Sequence, residues 1–175
     1  MNRAVDSAGN STLARQRAGK YLTFYLEGEE YGLEILKVHE IIGIMPITRV
    51  PRTPPFILGV INLRGKVISI MDLRARFGMR AAEQVAEACI IVVQVGGVQI
   101  GLFVDRVSEV LDIPEDEIED APSFSVEIDT DYILGVAKSN GRVKLLLDID
   151  RVLAQTPPVD ATGKGANDQA RAAHS

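Results

Sequence analysis

Along Tyr21 to Leu26 the side chains alternate, with Leu22, Phe24 and Leu26 on one face and Tyr21, Thr23 and Tyr25 on the other. A period of two is that of a strand, whose successive side chains point to opposite faces. Gly28 and Glu29 break the pattern before a second apolar-rich stretch, Tyr31 to Ile35, so the region opens with a β-hairpin. The most apolar run, Cys89 to Val95, also reads as a strand, and it is far shorter than the roughly 20 residues a membrane helix needs. Residues before Tyr21 and after about Gln155 are poor in large apolar side chains and are expected to be disordered tails, 1–20 and 156–175.

The pattern repeats. Phe56-Ile57-Leu58-Gly59-Val60 recurs as Tyr132-Ile133-Leu134-Gly135-Val136, an offset of 76, and Gly65, Val67, Ile70, Asp72 and Leu73 map onto Gly141, Val143, Leu146, Asp148 and Ile149. Upstream, Gly28, Gly32, Val38, Glu40 and Ile41 map onto Gly97, Gly101, Val107, Glu109 and Val110 at an offset of 69. The difference falls in one connecting loop. Each copy reads as an opening hairpin, a further strand, a long loop, a second hairpin and a short amphipathic turn capped by Asp72 or Asp148. Five short strands per unit predict a small barrel, giving an all-β chain of two barrels over roughly 21–87 and 88–155. Units this small bury only about 60% of their surface alone, so the two are expected to pack together, with a binding groove at the seam.

Composition narrows the function. With 24 acidic and 19 basic side chains the formal charge is -5, which disfavours nucleic-acid phosphates and anionic lipid as partners. A small RNA-binding barrel is therefore the weaker alternative. The single Cys89 cannot form an internal disulfide, and the absence of an apolar leader in Met1 to Lys20 makes the cytoplasm the expected compartment.

The candidates for chemistry fail on pattern. Gly59 to Lys66 has the wrong spacing for a phosphate loop, carries Val67 where the hydroxyl should be, and lies in a hairpin. His39 is the one histidine outside the tails, so no histidine pair can hold a metal. Cys89 heads an apolar strand, where an inert buried thiol is the usual case, and the run Glu115, Asp116, Glu117, Glu119, Asp120 lacks the calcium-loop alternation. No catalysis, cofactor or metal is expected.

The differences between the copies point elsewhere. The second hairpin turns on Asn140-Gly141, the preferred two-residue sequence, whereas the first has Arg64-Gly65, a poor choice unless the guanidinium makes a specific contact. Where the first copy has Tyr21, Thr23 and Glu34 opposite its core, the second has Ile90, Val92 and Phe103, an apolar face that must be covered by the other barrel or by a partner. Lys37-Val38-His39-Glu40-Ile41 and Arg106-Val107-Ser108-Glu109-Val110 place a glutamate among apolar neighbours in both copies.

Tyr31-Gly32-Leu33-Glu34-Ile35-Leu36-Lys37-Val38-His39-Glu40-Ile41, Thr53-Pro54-Pro55-Phe56-Ile57-Leu58-Gly59-Val60-Ile61-Asn62-Leu63-Arg64-Gly65 and Asp72-Leu73-Arg74 closely resemble the CheW family of chemotaxis coupling proteins, in family order from Tyr21 to Leu153. The resemblance implies two SH3-like five-stranded barrels in one CheW-like domain over 21–155. It also implies a non-catalytic adaptor that bridges the histidine kinase CheA, through its related regulatory domain, to the cytoplasmic tips of chemoreceptors in membrane-associated arrays. The same role in a non-flagellar chemosensory pathway fits equally. Positions matching the family's receptor-contact pattern are Val38, Glu40, Arg64, Ile90, Val107 and Val110. For the kinase the resemblance directs attention to the barrel ends, near Pro54 and the short turns, and assigns no residue.

Overall fold

The computed structural model describes residues 17–80, 85–121, 132–139 and 141–154. Strands β1 (Gly19–Leu26) and β2 (Glu29–Glu34) form the opening hairpin, followed by a 3-10 turn (Ile35–Lys37), β3 (Val38–Ile42), the hairpin β4 (Ile57–Leu63) and β5 (Lys66–Asp72), and the helical turn α1 (Leu73–Arg76). The second copy runs through β6 (Cys89–Val95), β7 (Val98–Val104), β8 (Arg106–Ile113), a 3-10 turn (Glu115–Glu117), β9 (Ile118–Glu119), β10 (Ile133–Ser139), β11 (Arg142–Leu147) and α2 (Ile149–Leu153). Asp72 and Asp148 cap the helical turns as expected, accepting from the backbone N–H groups of Arg74 and Arg151. Of the expected tails, 1–16 and all of 156–175 lie outside the described residues, while Gly19 and Lys20 belong to β1.

The strands form two sheets, ordered β8-β1-β2-β11-β10-β9 and β3-β6-β7-β5-β4. Each sheet takes its opening hairpin from the other copy, so the sequence division near residue 87 is not a division between sheets. The reason is connection length. Because β1 is antiparallel to both β2 and β8, the strands flanking it run parallel to each other. For β3 to fill that place beside its own hairpin, the chain would have to return along all of β2, about 20 Å for six residues. Such parallel returns ordinarily take a dozen or more residues. Only Ile35–Lys37 links β2 to β3, and Asp105 alone links β7 to β8. These links can only step across into the other sheet.

Three apolar clusters result. Tyr21, Ile113, Ile118, Ala137 and Leu146 come from opposite ends of the first sheet, which therefore curls around them. Ile61, Ile68, Ile70, Ile90 and Val92 fill the second sheet in the same way, with Ile42 and Leu58 against them. The largest cluster, including Leu22, Phe24, Leu26, Leu33, Ile91, Val93, Leu102 and Val152, lies between the sheets. Each sheet thus buries both faces, and at about 1.5–3 kcal/mol per buried aliphatic side chain this seam outweighs any polar tie between the halves. Two expectations change accordingly. The apolar face of Ile90 and Val92 is covered by its own curled sheet, and the seam is a packed core, not an open groove.

Ladder closure is partial among the described residues. In the first sheet β9 pairs with β10 through Val136 and Ala137; in the second an isolated Thr48–Val60 bridge takes the equivalent place. At the centre Arg76 lies over the rings of Phe56 and Tyr132, which are repeat-related, and donates through Nε to the carbonyl of Val152, its own repeat partner, at 3.2 Å. The guanidinium therefore sits where the two copies meet.

Two repeated glycines mark the parallel pairings β2–β11 and β5–β7. A Cβ at Gly32 would meet Leu146 Cδ2 at 2.8 Å, whereas one at Gly101 would meet Ile70 Cδ1 at 2.5 Å and Ile90 Cγ2 at 2.7 Å. A leucine tip can turn away, but two isoleucine branches converging on one point cannot both do so. Gly101→Ala is expected to destabilise by about 1–3 kcal/mol and Gly32→Ala by less. Urea midpoints check this, and equal midpoints would contradict it.

Candidate protein-binding site

Strand β3 is the edge of the second sheet and pairs only with β6, with an irregularity at His39 that breaks the simple alternation between Val38 and Glu40. Val38 is half-buried against the central cluster. The β4–β5 turn has Arg64 at φ 53 and Gly65 at φ 86, and Asn62 Oδ1 accepts from the Gly65 N–H at 2.8 Å. Both central residues are left-handed, so this is the turn that favours asparagine and glycine. Arginine is held there against its backbone preference. Asn140, its counterpart, lies outside the described residues.

The compensation is a contact with β3. Arg64 Nη1 and Nη2 donate to Glu40 Oε1 and Oε2, both at 2.7 Å, in a two-pronged ion pair. The fork holds the Glu40 carboxyl below the usual carboxylate range, chiefly through this hydrogen bond, and raises the Arg64 guanidinium. Arg64 keeps 70% of its side-chain surface exposed and Glu40 22%, so the pair presents charge outward while tying together the two edges of the curled sheet. In the first sheet Glu109 takes the place of Glu40, but position 140 offers no cation to match it.

The other expected contact residues divide. Val107 is half-buried against the central cluster at the start of β8, as Val38 is at the start of β3. Val110 is 51% exposed on β8, the edge of the first sheet. Ile90 is a correction: at 0% exposure it lies inside the second sheet, opposite Ile42 on the neighbouring strand, and cannot touch a partner in this conformation. It supports β3 from beneath. The set therefore comprises one ion pair, two valines flanking the seam, one exposed valine on the other sheet's edge and one interior isoleucine.

Sequence reasoning passed over the exposed apolar side chains Leu36, Ile41, Ile44 and Val67. It also passed over a polar tie between the sheets. Arg74 Nε donates to Asp105 Oδ1 at 2.7 Å and Nη2 to Oδ2, while Nη1 lies 3.6 Å from Glu27 Oε1. Asp105 also accepts from the Glu27 N–H at 2.9 Å. This clamps the one-residue link between β7 and β8 to the opening hairpin and α1. Arg74 was visible in the Asp-Leu-Arg motif; its distant partner had no local signal.

Burial pushes the Cys89 thiol up, away from the reactive thiolate. Cys89 begins β6, while His39 lies near Val92 and Val93 further along it, so the two are about 10–13 Å apart along the strand. That separation keeps Cys89 and His39 out of hydrogen-bond reach of each other. Among the described residues no cluster suits a metal ion and no helix is long and apolar enough to cross a membrane.

The chain is thus a compact β scaffold with an outward-facing ion pair and apolar side chains along its sheet edges. The CheW-like domain model matches residues 20–156, and the chain belongs to that family of chemotaxis scaffold proteins. It is 40% identical over 145 residues to the chemotaxis protein CheW of Klebsiella aerogenes, covering 82% of this chain and 87% of the relative. It is 38% identical over 131 residues to the CheW of Rhizobium meliloti, covering 75% and 84%. The crystal structure of the scaffolding protein TtCheW from Thermoanaerobacter tengcongensis superposes with a TM-score of 0.72 at 37% identity, covering 85% of this chain and 97% of that one.

The Glu40–Arg64 pair sets a pH dependence. A carboxyl depressed in the folded protein contributes stability that is present above its unfolded pKa and lost as pH falls through the lower folded value. The melting difference between wild type and Glu40→Gln should not shrink between about pH 8 and 6 and should fall only below the ordinary carboxylate value of about 4.3. Thermal melts across pH check this; a difference that shrinks already between pH 8 and 6 would contradict it.

Proposed function

We propose that the chain is a non-catalytic adaptor that couples the cytoplasmic tips of chemoreceptors to the histidine kinase CheA, acting in the cytoplasm at membrane-associated receptor arrays. Receptor helices lie across the edges of the two sheets, with Val38 on β3 and Val107 and Val110 on β8 as apolar contacts and Glu40 and Arg64 fixing register. The kinase docks elsewhere through its related regulatory domain. Each partner's affinity then depends on the other by linkage, without any reaction at the chain itself.

The observation carrying this reading is the Glu40–Arg64 fork, with arginine kept at φ 53 in a turn that favours asparagine. Strain maintained for an outward-facing charge belongs to a recognition surface. The fork also pre-organises both side chains, so less order has to be imposed when a partner binds.

Arg64→Ala is expected to leave the fold intact, since the turn is exposed and closed by Asn62, while lowering receptor capture and receptor-dependent kinase activation by about tenfold, or ~1.4 kcal/mol. Circular dichroism and receptor pull-down with a kinase assay measure the two effects. Wild-type capture and activation in the folded variant would remove Arg64 from the site.

A further inference from the structure

On β8 the extra residue of a bulge falls between the two valines of the proposed receptor surface. Phe24 of β1 stands opposite Val107 and Leu22 opposite Val110, so Ser108 and Glu109 face Thr23 alone. In a regular strand, residues three apart point to opposite faces. Here the added residue puts Val107 and Val110 on one face, that of Leu22 and Phe24, with Val107 packed on the central cluster and Val110 51% exposed further along. Thr23 holds the bulge in place. Its side chain is fully buried, and Oγ1 donates to the Glu109 carbonyl at 3.0 Å and accepts from the Glu109 N–H at 3.2 Å.

The internal repeat carries the same bulge with a different tie. On β3, Val38 stands opposite Val93 and Ile41 opposite Ile91, again with two residues, His39 and Glu40, where β6 has only Val92. Val92 takes the place of Thr23 at the offset of 69 and has no hydroxyl. There the strand is tied from outside, by the fork of Arg64 on Glu40. Glu109, the counterpart of Glu40, has Asn140 in place of that arginine, so a buried hydroxyl does for β8 what a guanidinium does for β3. We infer that Thr23 is a positioning residue for receptor binding: without touching the receptor, its hydroxyl fixes the bulge that presents Val107 and Val110 together. A regular ladder running on from Val107 would turn Val110 to the other face. The inference rests on the receptor contact proposed for these two valines.

The test uses the full chain with a receptor cytoplasmic fragment and, separately, with the kinase. Thr23→Val keeps the shape of the side chain and removes the hydroxyl. It is expected to weaken receptor capture about fivefold, the worth of one hydrogen bond, to leave kinase binding within about twofold of wild type, and to speed hydrogen exchange at the Glu109 amide. Thr23→Ser keeps the hydroxyl and loses a buried methyl, so it should melt lower yet capture receptor as wild type does. If valine prevents folding, Thr23→Ala against Thr23→Ser isolates the hydroxyl, with the alanine variant expected to bind receptor more weakly. Equal capture by that pair, wild-type capture by Thr23→Val, or equal loss of receptor and kinase binding would overturn the positioning role. Val110→Ala controls for the reading beneath it. Normal receptor capture by Val110→Ala would sink the receptor contact of β8 and the inference with it, whereas weakened capture there beside normal capture by Thr23→Val would sink the inference alone.

Discussion

Everything in this fold depends on two connections being too short. A chain with three residues after β2 and one after β7 cannot lay the next strand back beside its own hairpin, so each half must lend that hairpin to the other. The exchange puts strands from both copies in both sheets and turns the boundary into the largest apolar cluster in the molecule. Neither half has a complete sheet without the other. The Asp105–Arg74 tie and the Arg76 guanidinium between Phe56 and Tyr132 both act where the halves cross, and both hold in place a geometry that connection length has already imposed.

The repeat, the hairpins and the capped turns were legible because they are local: alternation, glycine spacing and an aspartate before an amphipathic turn each act within a few residues. The exchange leaves no local signature, because order along the chain does not determine which strand pairs with which, even though the short links that force it stand in the sequence. The same limit applies to Ile90. Its apolar face calls for cover by the other barrel or by a partner, and a division by copy does not reveal that the cover comes from within its own curled sheet. At Arg64 the local misfit was read correctly as a sign of a contact, and the contact is with Glu40, 24 residues away. Pairing across that distance leaves no periodic trace.

Between copies that share a backbone plan, the surfaces are told apart by what differs. Arginine replaces a turn residue on one sheet and finds a glutamate that both copies retain. The shared positions, such as Gly32 and Gly101 under Leu146 and Ile70, specify packing. The unshared ones are at edges and turns, where they change the surface at little cost to the core. A duplicated scaffold can therefore offer two unlike faces to two partners while a single seam keeps them rigidly related, the property an adaptor requires.

The central claim is that the chain joins two partners in one complex. Purified chain, a receptor cytoplasmic fragment and the kinase, examined by sedimentation alone, in pairs and together, test it most directly. The account predicts a ternary complex in which each partner tightens the other's binding to the chain. Competition between receptor and kinase for the chain, or binding of only one of them, would contradict it.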